Sequence, residues 1–149
     1  SKGELHALGV DCLTYFGRGC RNVTHLLFPE GFDLNRFFEA IVDLSDVVNN
    51  KKYGNNYDYN KAVHLMNLSK FLDNNFLLMK ESDQLFSPLS MLHYQFYKSS
   101  EELTSFLDAH RSQIQCVVGQ DYIPFGQAQC PSLMDYADGM DTMEFLATC

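Results

Sequence analysis

The sequence predicts an α/β domain in which helices are layered on a largely parallel sheet. Short continuous apolar runs alternate along the chain with stretches of helical period, the order that parallel strands joined by helices produce. The chain has 149 residues and 46% hydrophobic content, enough for one domain with a buried core. No repeat or linker composition divides it, so residues 1–149 are predicted to be a single domain.

Leu5, Leu8, Cys12 and Phe16 recur at intervals of three to four, which predicts a first helix closed by Gly17 as its C-cap. "HLLF" (His25 to Phe28) is continuous and apolar like a buried strand, and Pro29 with Gly31 ends it. Helical spacing returns through Leu34, Phe37, Phe38, Ile41, Val42, Leu44 and Val48. The polar, asparagine-rich stretch from Asn49 to Asn60 predicts a loop, followed by a helix from Asn60 to about Phe71. "NFLLM" (Asn75 to Met79) and "PLSMLHYQFY" (Pro88 to Tyr97) predict strands. An amphipathic helix opens at Ser100 and carries Leu103, Phe106 and Leu107, and "IQCVV" (Ile114 to Val118) predicts one more buried strand. The tail begins as a Pro/Gly-rich loop and ends as a helix bearing Met140, Met143 and Phe145.

A formal charge of −8 argues against nucleic acid as a partner, because binding a phosphate backbone relies on clustered cations. No apolar stretch reaches the roughly 20 residues that cross a bilayer, and the first residues lack a signal-peptide core. Five cysteines, odd in number and scattered at 12, 20, 116, 130 and 149, fit reduced thiols and a cytoplasmic location. The five histidines are equally dispersed, so no metal site is predicted. A homo-oligomer is compatible with this composition.

Among the cysteines, Cys20 stands in the setting that activates a thiol. Arg18 and Arg21 flank it, and the thiolate, which is the nucleophilic form, is favoured by nearby cations. Gly17 and Gly19 allow a tight turn that brings main-chain N–H groups toward an oxyanion. The competing reading is a small buried residue in a helix–strand turn. Cys12 and Cys116 lie in apolar segments and are assigned to packing, and Cys130 lies in the Gly/Pro loop. Neither G-x-S-x-G nor a phosphate-binding G-x-x-x-x-G-K occurs.

The segment "YFGRGCRNVTHLLFPEGFDLNRFFEAI" resembles the nucleophile region of the aldehyde dehydrogenase superfamily, where a helix runs into G-Q-x-C and then a strand and a helix. Arg18 takes the place of the usual glutamine. "QLFSPL" (Gln84 to Leu89) is similar to the superfamily's E-I-F-G-P-V, and "IPFGQAQCPSL" (Ile123 to Leu133) to its P-F-G-G segment. The wording of "YFGRGCRNV", "NNYDYNKA" and the C-terminal stretch more closely resembles bacterial acyl-CoA reductases of the LuxC type. This resemblance implies an aldehyde-dehydrogenase-like catalytic domain that takes an acyl group from acyl-CoA onto Cys20 and releases an aldehyde with NADPH. It also implies that Gln84 and Phe86 contact the cofactor ribose. The superfamily's nucleotide-binding domain and oxyanion-hole asparagine lie far upstream of the cysteine, whereas 19 residues precede Cys20 here. The chain therefore resembles the catalytic part alone, with NADPH held mainly elsewhere.

Overall fold

The computed structural model describes residues 1–133, 135–136 and 140–148. Its centre is a four-stranded sheet in the order β1 (His25–Pro29), β4 (Met91–Tyr97), β3 (Leu78–Glu81) and β2 (Leu72–Asp73). β1 and β3 run parallel to β4, and only the two-residue edge strand β2 is antiparallel. The helices are α1 (Lys2–Leu13), α2 (Asn35–Ala40), α3 (Lys51–Met66), α4 (Ser100–Ala109) and α5 (Thr142–Ala147). The predicted α/β class and mostly parallel sheet are therefore present.

Strand pairing divides the sheet into two unlike faces. One face carries Leu26, Phe28, Met79, Leu92 and Tyr94 into the main core, where Leu8 and Cys12 of α1 and Phe37 of α2 meet them. α1 and α2 approach closely because Gly9 has no side chain: a Cβ there would stand 2.3 Å from Ile41 Cγ2. The other face presents His25, His93 and Gln95, whose register places them side by side. The candidate site lies along the edge strand β1, where His25 of this face and Leu26 and Phe28 of the other line one cavity.

Several predicted elements are corrected. The Asn49–Asn60 stretch is not a loop: α3 starts at Lys51, because Asn50 caps it by accepting from the N–H groups of Lys52 and Tyr53, both at 3.1 Å. Its buried face is Tyr53, Tyr57 and Asn60, spaced by four and three, so the helical period is written in tyrosine and asparagine rather than aliphatic residues. Tyr57 and Asn60 make side-chain polar contacts that a leucine stripe would lack, and Tyr53 contributes its main-chain carbonyl. Tyr57 donates to Asp73 (2.7 Å), Asn60 donates to the Leu89 carbonyl (2.8 Å), and the Tyr53 carbonyl accepts from Ser90 (2.8 Å). α3 also stops at Met66 instead of reaching Phe71.

The single helix expected from Leu34 to Val48 is α2 followed by a 3₁₀ segment, Val42–Asn49. The strand expected at Asn75–Met79 begins three residues later, at Leu78, because Asn74 bonds the N–H groups of Phe76 and Leu77 and holds them in a turn. Ile114–Val118 forms no strand; Val118 makes one isolated bridge with Ile123. In the tail, helix α5 holds Met143 and Phe145 but begins after Met140.

α3 ends in a Schellman turn: Ser69 N–H bonds the His64 carbonyl (3.0 Å) and Leu68 N–H bonds the Leu65 carbonyl (3.2 Å). Leu68 occupies the left-handed position of that turn at φ +53° while 91% exposed. Glycine fits that conformation without the Cβ penalty. Leu68→Gly is therefore expected to stabilise the fold by about 0.5–1 kcal/mol, since no packed contact is given up. Urea denaturation at low micromolar protein should show a higher midpoint with an unchanged slope.

Candidate functional site

α1 ends at Leu13, short of the predicted cap, and Tyr15 (φ +53°), Phe16 (φ +59°) and Gly17 (φ +68°) then turn the chain through three left-handed residues. Gly17 accommodates this conformation freely, whereas the two aromatics hold it at a cost of about 1–2 kcal/mol each. The turn delivers Arg18, Gly19 and Cys20 to the mouth of an open cavity of about 840 Å³. Asn22, with its amide nitrogen turned toward α1, donates to the carbonyls of Asp11 (3.2 Å) and Cys12 (2.8 Å) and so satisfies the end of that helix.

Cys20 is exposed on this cavity, which excludes the reading of a buried packing residue. Its main-chain N–H has no acceptor among the described residues. Cys12 is buried, as expected, and burial pushes its thiol far above the ordinary range. Cys116 is half-buried in irregular chain rather than in a strand; burial raises its thiol and the neighbouring Arg21 partly opposes this. Cys130 is exposed, and Cys149 lies outside the described residues.

The two flanking arginines differ. Arg18 is exposed, while Arg21 is mostly buried, lies 4.0 Å from the Asp135 carboxylate and accepts the Cys116 thiol on its carbonyl at 3.7 Å. Part of the cationic environment expected for Cys20 is thus directed to Asp135.

The segment after β3 is held over the polar face of the sheet by its main chain. The Gln84 carbonyl accepts from His25 Nδ1 (2.9 Å) and His93 Nδ1 (2.8 Å), and the Leu85 carbonyl accepts from Thr24 (2.9 Å). These bonds place Leu85 and Phe86 on the wall of the Cys20 cavity, with Phe86 65% exposed. Gln84 itself is exposed but does not line the cavity, so the structure brings Phe86 and not the Gln84 side chain to Cys20.

A third segment closes the other side. The Asp11 carboxylate, 1% exposed on α1, accepts the N–H groups of Gly126 (2.6 Å) and Ala128 (2.9 Å) and pins the "PFGQAQ" loop. Phe125 from that loop lines the cavity. The Gln129 amide fills the space beside Gly19, where a Cβ would meet it at 2.4 Å. Asp11, His93 and Gln129 are thus structural supports of the site that motif reading did not single out. Asp11 carried the one usable signal, a carboxylate between Leu8 and Cys12 on the apolar stripe of α1.

His25 stacks on Phe106 at 5.5 Å and lines the same cavity. Burial lowers its basicity; the bond to Gln84 opposes this, and the nearby His93 and His110 charges reinforce it. The unfolded chain therefore takes up a proton near the ordinary value of 6.5 while the folded chain resists it. Stability is full above that pH and is lost as the pH falls through the lowered folded value, with His64 shifted in the same direction chiefly by burial. The urea midpoint at about pH 5.5 should lie below that at about pH 7.5, and His25→Gln should flatten this dependence.

Among the described residues no group of three His, Cys, Asp or Glu is placed to hold a metal, and no helix is long and apolar enough to cross a membrane. Comparison of the chain with protein-family models, with curated proteins and with solved structures finds no match.

Proposed function

We propose that the chain is the nucleophile-bearing catalytic part of an NADPH-dependent reductase of acyl thioesters, with an aldehyde-dehydrogenase-like fold. The observation that carries this reading is convergence. Gly17–Cys20, Leu85–Phe86 and Phe125 come from the three segments that resemble the superfamily, and all line one cavity. Such a meeting of distant segments around an exposed thiol is what acyl transfer requires.

In this reading the Cys20 thiolate attacks the thioester carbonyl of acyl-CoA. A carbon–sulfur bond forms, the carbonyl electron pair moves to oxygen, and the Cys20 N–H donates to that oxyanion. Collapse expels the CoA thiolate, which takes a proton from solvent, and leaves the acyl group on Cys20. The apolar side of the cavity, including Leu103, Phe106 and Phe125, covers the acyl chain and excludes water. Exposed Phe86 is suited to pack on a cofactor ribose, and the chemistry that NADPH supplies when bound is hydride. Gln84 acts through its carbonyl, which sets the position of Phe86.

The test is to incubate the chain with radiolabelled long-chain acyl-CoA, denature it and map the label. Hydroxylamine-sensitive label on the Cys20 peptide supports acyl transfer; label on Cys130 in its place rejects Cys20 as nucleophile.

A further inference from the structure

Cys20 shares its cavity with a second thiol, Cys116, to which the acyl-transfer reading gives no role. The Asn22 N–H bonds the Gly19 carbonyl at 3.1 Å and closes a turn with Cys20 and Arg21 at its two corners. From 95 residues further along the chain, the Cys116 thiol reaches that same turn and donates to the Arg21 carbonyl at 3.7 Å. Burial raises the Cys116 thiol, and the Arg21 guanidinium beside it partly opposes this. One thiol is thus open to reagents, and the other is half-screened from them on the turn that carries the first. The remaining described cysteines fit less well, since Cys12 is buried and Cys130 does not line the cavity. The chain around Cys116 also leaves room for approach. Ile114–Val118 joins no ladder and is tied by one isolated bridge from Val118 to Ile123. A disulfide needs its Cα atoms within about 7 Å, and no strand pairing has to break for Cys116 to close on the turn.

We infer that Cys20 and Cys116 form a redox site that a hydroperoxide oxidises to a disulfide, with Cys116 as the resolving thiol. The Cys20 thiolate attacks one peroxide oxygen, the O–O bond breaks, and the departing hydroxide takes a proton and leaves as water. Cys20 is then a sulfenic acid. The Cys116 thiolate attacks the Cys20 sulfur, the S–S bond forms, and the second hydroxide leaves and is protonated to water. In sum two thiols give up two electrons and two protons, and hydrogen peroxide is reduced to two waters. A dithiol reductant reverses the bond by exchange. The disulfide takes Cys20 out of use while sparing it the irreversible sulfinic and sulfonic acids. That consequence rests on the proposed acyl transfer, whereas formation of the disulfide does not.

The test treats the reduced chain with hydrogen peroxide, blocks the remaining thiols with iodoacetamide and maps the peptides without reductant. Wild type should yield the Cys20 and Cys116 peptides joined, and dithiothreitol should separate them. Cys116→Ser should leave at least about 5-fold more Cys20 as sulfenic acid, trapped by dimedone. Cys130→Ser should leave the yield of the disulfide unchanged. Wild-type Cys20 that passes to sulfinic acid with no joined peptide, or that joins Cys130 instead, overturns the assignment. The wild-type map needs no variant to fold and no acyl-CoA. A chain that forms the disulfide yet takes no acyl group when reduced therefore refutes the catalytic reading and upholds the redox pair.

Discussion

Asp11→Ala should destabilise the fold by roughly 3–5 kcal/mol, the largest stability effect expected of a single change in this chain. The carboxylate is buried on α1 and is the acceptor for the Gly126 and Ala128 N–H groups, and Ala128 is fully buried. Alanine removes two charge-assisted bonds and leaves the Ala128 donor in an apolar setting without a partner. Asp11→Asn keeps one oxygen but turns an N–H₂ group toward one of the loop donors, so its cost should be intermediate. Because the same loop carries Phe125 and Gln129, its release should also loosen Gly19 and Cys20. Chemical denaturation gives the stability change, and the Cys20 alkylation rate in native buffer reports the loosening. A loss below about 1 kcal/mol for Asp11→Ala would show that apolar packing, not the carboxylate, holds the loop.

The parts of the fold that were legible are those whose burial is aliphatic. β1, β4 and α4 fall close to their predicted positions because their period is carried by Leu, Met and Phe. α3 departs from the predicted loop because its buried residues are two tyrosines and an asparagine, and the partners of Tyr57 and Asn60 lie across the fold where local spacing cannot reveal them. "IQCVV" erred in the opposite sense: its apolar residues are half-buried against irregular chain, with no neighbouring strand to complete a ladder. At the site, the glycines and Cys20 were readable because turn chemistry is local. The supports were not, since Asp11 reaches residues 126 and 128, and His25 and His93 converge on the Gln84 carbonyl. A main-chain acceptor leaves no trace in side-chain identity: the resemblance implies a cofactor contact at Gln84, while the structure uses its main-chain carbonyl.

The same distinction sets the expected outcome of Cys20→Ser in acyl labelling. Without NADPH, wild type should retain one hydroxylamine-labile acyl group per chain after denaturation, and Cys20→Ser should retain none. Serine has a much weaker nucleophile at neutral pH, and an ester formed on it would resist mild hydroxylamine. Cys130→Ser should label like wild type even though Cys130 is also exposed, because the cavity wall includes Cys20 and not Cys130. Phe86→Ala and Gln84→Glu should likewise acylate normally, as the proposed role of position 86 is in the cofactor step and position 84 contributes its main-chain carbonyl. Brief iodoacetamide treatment should follow the same order. Cys20 should react first, with Cys116 and Cys12 protected by burial that raises both thiols. Prior acylation should shield Cys20 from the reagent and leave Cys130 reactive. If acyl-CoA instead slows labelling of Cys130, or if Cys20→Ser keeps full hydroxylamine-labile label, the nucleophile lies in the Gly/Pro loop and the cavity reading fails.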